Sequence, residues 1–195
     1  MRNMGIFKIK GYHGTDSSVV DDILRVGFKC KENKEHWLGE GIYLYVDKSL
    51  AEWWTTNPTN KHGVEIHEPA IIECSLEVEE DRVLNLCTLD GYRKYVNLYN
   101  SFFRQWAYNA KDEEEVNIKQ LRCAFFNYLL LLYKVDVIIA PFILPGQPYM
   151  PQYHNEKYAK EMHIMYAEVQ ICISEKKQEI IKNKTVEIEG DNYDR

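Results

Sequence analysis

A histidine and a tyrosine, each set among glycines where a strand would run out, are the residues of this chain best suited to holding a flat ligand: His13-Gly14-Thr15 and Gly39-Glu40-Gly41-Ile42-Tyr43. Glycine lets a planar group come close to the backbone. The imidazole can donate a hydrogen bond to a ribose hydroxyl, the Gly14 backbone can pair with an amide, and Tyr43 offers a rigid aromatic face. A third piece lies far down the chain. Glu168 and Gln170 are two apart in an extended stretch, so they project from one face. A carboxylate or amide oxygen accepting from a sugar 2′-hydroxyl stabilises the positive charge that builds when a bond at the anomeric carbon breaks. Taken singly, each piece has a plainer explanation: a histidine satisfied within the fold, a tyrosine packed in a tight turn, a sheet face wetted by solvent. Together they are harder to dismiss.

The elements that would position these residues follow from periodicity. Residues 6–13 read as a strand ending at the histidine. Val20, Ile23 and Leu24 share a helical face in a segment that starts at Asp16 or Ser18 and stops at Gly27. Residues 29–38 read as a surface loop. From Gly41 to Val46 the residues alternate, with Ile42, Leu44 and Val46 facing one way and Tyr43 and Tyr45 the other. Asp47 can cap a helix with Leu50, Ala51 and Trp54 on one side, ending near Asn57-Pro58. A strand is expected over Ala70–Val78, two aromatic-rich helices over 88–108 and 116–134, and a buried strand over Val135–Phe142. A last core strand is expected over Met162–Ser174, with Val186-Glu187-Ile188 as a short edge strand. Between them, residues 143–161 form a long loop rich in proline and tyrosine, a length that usually signals function.

The chain has 195 residues, enough for one domain with a sizeable core and few for two. We place that domain at residues 1–178, with a helical insertion or lid at about 88–134 and a charged tail at 179–195. The net charge of −6 gives no bulk attraction to nucleic acid or an anionic membrane. Five widely spaced cysteines without a CxxC pair suggest reduced thiols in a cytoplasmic setting. No secretory signal is visible, and the run Tyr128–Tyr133 is too short to cross a bilayer, so it reads as buried helix.

The pieces together resemble the PARP-like, His-Tyr-Glu type of ADP-ribosyltransferase. The resemblance rests on His13-Gly14-Thr15, the helix ending Gly27-Phe28, Gly39-Glu40-Gly41-Ile42-Tyr43, Lys48-Ser49-Leu50-Ala51 and Glu168-Val169-Gln170-Ile171-Cys172; residues 79–134 lie outside it. It implies an α+β fold of two packed small antiparallel sheets with flanking helices. It also implies a transferase that splits NAD without a metal, moving ADP-ribose to a macromolecular acceptor, protein or nucleic acid, as a toxin or defence factor for which an antitoxin would be a natural partner. By resemblance His13 holds the nicotinamide ribose and Gly14, with Thr15 beside it, takes the carboxamide through its backbone. Tyr43 stacks on nicotinamide, Ser49 reaches the carboxamide, and Trp53 or Trp54 closes the stack. The third catalytic position is open between Glu168, by charge, and Gln170, by its place before Ile171-Cys172-Ile173. This favours transfer of a single ADP-ribose. The loop Leu144–Glu161 would meet the acceptor.

Two other readings remain. A related NAD-using RNA 2′-phosphotransferase needs arginines around its histidine, and none lies between His13 and Arg25. A catalytically silent binding or immunity module of the same fold would keep the pocket without the turnover. His62 and His67 suit surface positions better than a metal site. The rings Tyr92, Tyr95, Tyr99, Phe102, Phe103 and Trp106 read as core of the inserted helices.

Overall fold

A computed structural model describes residues 5–56, 66–109, 117–143 and 166–187, with the side chains of 105–109 excepted. The expected acceptor loop 144–161, His62, Trp106's ring and the terminal residues 188–195 fall outside what is described.

Seven strands form one mixed sheet: β1 (Ile6–Asp16), β2 (Ile42–Tyr45), β3 (Pro69–Glu79), β4 (Val83–Asn85), β5 (Val137–Phe142), β6 (Glu168–Ile173) and β7 (Ile181–Glu187). Their spatial order is β4-β5-β6-β2-β1-β3-β7. Among the described residues four α-helices accompany them: α1 (Val20–Val26), α2 (Lys48–Thr56), α3 (Leu89–Asn109) and α4 (Ile118–Leu132). All strand pairs are antiparallel except β4 and β5. A parallel pair needs a long crossover, and α3 and α4 supply it.

A single hydrogen-bonded sheet thus stands where two packed sheets were expected. Its two halves meet at β2, which pairs with β6 over four positions but with β1 only at Tyr12 and Tyr45. Beyond that pair β1 leaves β2 and continues along β3 to Asp16. There the Asp16 carboxylate accepts from Ser18, and from the backbone N–H groups of His67 and Glu68 at 2.7 and 3.1 Å. These bonds, the Ser18 hydroxyl's first, hold its pKa well below the usual carboxylate range.

Alternation gives the sheet two apolar faces. On one, Ile42, Leu44, Ile72, Leu76, Ile139, Ile171 and Ile173 pack with Val20, Ile23 and Phe28. On the other, Ile138, Ala140 and Cys172 pack against Phe125, Phe126, Leu129 and Leu130 of α4. The inserted helices are therefore structural core as well as cover. The expected burial of the leucine run holds only in part: Leu129 and Leu130 are inside, whereas Leu131 and Leu132, where α4 ends, are about two-thirds exposed. The charged stretch after Glu175 also stays in the fold as β7, an edge strand along β3, past the boundary expected at residue 178. Among the described residues no helix is long and apolar enough to cross a membrane.

Candidate functional site

His13 and Tyr43 are joined, but not ring to ring. The His13 Nδ1 atom lies 2.9 Å from the Tyr43 carbonyl oxygen. A carbonyl only accepts, so Nδ1–H donates and Nε2 carries the lone pair in the neutral ring. This side-chain bond takes up a β2 carbonyl at the point where β1 and β2 separate. The imidazole meets Phe28 edge-on at 4.9 Å, and Phe28 is held by two 2.8 Å bonds between its backbone and the Gln178 amide. Burial pushes the His13 pKa below its ordinary 6.5, against a smaller opposing effect of the Tyr43 bond. His13 therefore presents an acceptor, not the donor expected, to any sugar hydroxyl.

The lowered pKa has a stability consequence. The fold favours neutral His13, so its contribution is complete above pH 6.5 and is lost as pH falls through 6.5 toward the folded-state value, because the unfolded chain binds the proton first. Urea midpoints measured from pH 7.5 to 5 should fall for the wild type and fall less steeply for His13→Gln.

Tyr43 sits in the other apolar cluster, beside Cys172. Its hydroxyl donates to the Gly39 carbonyl at 2.7 Å and accepts from the Leu38 N–H at 2.8 Å. Burial, with a smaller contribution from Cys172, pushes its pKa far above the ordinary range. The His36 ring stacks on it at 5.3 Å, 29° from parallel. The flanking glycines do not open space for a ligand as expected. Gly39 adopts φ +86°, and a Cβ there would lie 2.6 Å from Asn127 Oδ1, the atom that accepts from Glu40 N–H. At Gly41 a Cβ would meet the Ile173 carbonyl at 2.5 Å. Both glycines let the loop seat against α4 and β6.

Gly14 permits another close approach. A Cβ there would come within 2.6 Å of Thr55 Cγ2 and 2.7 Å of the Ala51 carbonyl, with the Trp54 ring at 3.4 Å. Thus α2 lies directly on β1, and Thr15 beside it is buried. Asp47 starts α2: its Oδ1 accepts from the Ser49 N–H at 3.0 Å and from its hydroxyl at 2.9 Å. Ser49's hydrogen is thereby committed, leaving its oxygen able to accept from an amide. Tyr166 donates to Asp47 Oδ2 at 3.2 Å; burial, then Asp47, raises its pKa to about 12.

Glu168 and Gln170 come together as the two-residue spacing predicts. Gln170 Nε2 donates to Glu168 Oε1, and Glu168 is only 4% exposed. The face is not a wet edge. Register places Gln170 opposite Ala140 on one side and Tyr45 on the other, with Tyr12 beyond Tyr45. Tyr45 was not singled out from the sequence, although its alternation with Tyr43 carried the signal. Its hydroxyl pKa is raised, first by burial and then by the Glu168 charge. The sheet thus sets Tyr45, Gln170 and Glu168 on one face, with Gly14 and α2 flanking on the β1 side. Tyr43 follows on the same face, while the His13 ring packs on the opposite side.

No family model and no solved structure matches the chain. It is similar to the uncharacterized protein MJ0359 of Methanocaldococcus jannaschii, at 24% identity over 188 residues covering 87% of this chain and 84% of that protein.

Proposed function

We propose that this protein is a mono-ADP-ribosyltransferase that uses NAD as its donor. The observation that carries the reading is the buried Glu168, held by Gln170 beside Tyr45 on the sheet face where β1 parts from β2. A buried carboxylate is costly unless it has a partner or a task. Facing the ribose of NAD, Glu168 accepts from the 2′-hydroxyl and stabilises the oxocarbenium-like charge as the C1′–N bond to nicotinamide breaks. Nicotinamide leaves as a neutral molecule with the bonding pair. The acceptor nucleophile forms the new bond to C1′ and releases its proton to solvent. Gln170 orients Glu168, His13 holds the Tyr43 carbonyl of β2 from the opposite side of the sheet, and Ser49 Oγ accepts from the carboxamide. Trp54 borders the same space from α2.

For nicotinamide to stack on Tyr43, the His36 ring has to leave. An aromatic pair of this kind is worth about 0.5–1.5 kcal/mol, so His36→Ala should lower the KM for NAD roughly 2- to 10-fold with kcat little changed. Steady-state kinetics with labelled NAD would check this.

The direct test is nicotinamide release from NAD by the purified chain in the presence of cell lysate, with isothermal titration of NAD alongside. Release accompanied by label on a macromolecule is the expected result. Binding without release would turn the reading toward a silent module of the same architecture, and neither binding nor release would end it.

A further inference from the structure

The inserted helices border an open cavity of about 490 Å³ that the NAD reading does not use. That volume lies within the range of small-molecule sites. Its walls are largely aromatic, with Trp37, Tyr95, Tyr99, Phe125 and Phe142 among the rings that line it. Trp37 meets Phe142 edge-on at 5.1 Å, and Tyr95 and Tyr99 each meet Phe125 edge-on at 5.8 Å. Rings arranged this way offer both faces and edges to a flat apolar guest.

Among the lining residues Arg122 alone carries a charge. Arg122 reaches into this wall with its guanidinium carbon 4.2 Å from the centre of the Trp37 ring. Its Nη2 donates to the Glu35 carbonyl at 3.2 Å, while its Nε is buried without any hydrogen-bond partner. The Glu35 carboxylate lies 3.6 Å from Lys119 Nζ. Among the described residues Arg122 has no ion pair. A buried N–H of a cation left unmatched is costly, and a native structure that keeps one usually has a use for it. A guanidinium with an unmatched N–H in an aromatic pocket suits one anionic oxygen group on a flat apolar body.

We propose that this cavity is a second ligand site, selective for small aromatic carboxylates, with Arg122 as its anion-binding residue. Its place in the sheet gives it reach to the candidate catalytic face: Ala140 and Phe142, both in its wall, stand opposite Gln170 and Glu168 in the β5–β6 register. The site itself stands whether or not the protein uses NAD.

Calorimetric titration of the full chain with 2-naphthoate and with its neutral methyl ester tests the proposal. A hydrogen bond to a charged group should make the acid bind about 10- to 100-fold more tightly than the ester. Arg122→Gln should remove that preference and leave the ester's affinity as in the wild type. Equal affinities for acid and ester in the wild type, a comparison needing no variant, would overturn the proposal. So would absence of binding by both, or a preference that survives in Arg122→Gln.

Discussion

Glu168→Gln should lower nicotinamide release from NAD by roughly 10²- to 10³-fold, the usual effect of removing one electrostatic stabiliser of a transition state. The amide keeps the shape of the carboxylate and can still accept from Gln170 Nε2, so the protein should stay folded, with its thermal midpoint close to that of the wild type. The loss should appear in kcat more than in KM, because the positive charge on the sugar exists only in the transition state. Gln170→Ala should cost less, about 10-fold, since it leaves the charge and removes only what orients it. A drop equal to that of Glu168→Gln would move the third catalytic role to Gln170. Wild-type release from Glu168→Gln would sink the assignment.

That pair illustrates how far the sequence alone could go. The spacing of Glu168 and Gln170 places them on one face because strand alternation is a local rule, and β2 and α2 were legible for the same reason. Whether that face was wet or buried depended on α4 and β5, some thirty to fifty residues upstream, and no local rule reports on such partners. The glycines show the same limit. Gly14, Gly39 and Gly41 marked places of close approach, but what approaches is helix α2, Asn127 and the Ile173 carbonyl, each a tertiary neighbour. The sheet is one for a comparable reason: four pairs join β2 to β6 and one pair joins it to β1, a junction that depends on register between distant segments. The His13 bond to the Tyr43 carbonyl, which reverses the polarity expected of the imidazole, is another product of that junction.

Gly14→Ala should impair release by about 10²-fold while leaving a folded protein, and it separates the site proposed here from a chance grouping of residues. The new methyl would fall 2.7 Å from the Ala51 carbonyl oxygen and 2.6 Å from Thr55 Cγ2. The threonine methyl can turn aside; a backbone carbonyl in the middle of a helix cannot, so α2 has to shift away from β1. Overpacking of this kind costs typically 1–3 kcal/mol, to be seen as a lower urea midpoint. The catalytic loss should exceed the stability loss, because α2 carries Ser49 and Trp54 against the parting of β1 and β2, and a displacement near 1 Å in a positioning element can cost about 10²-fold in rate. Thr55→Ser in the same chain removes one of the two clashes and should recover part of the stability without recovering the rate, since the Ala51 carbonyl still forces the helix outward. If release per folded molecule were unchanged in Gly14→Ala, α2 would have no part in holding NAD, and the roles given to Ser49 and Trp54 would fall while that of Glu168 could stand.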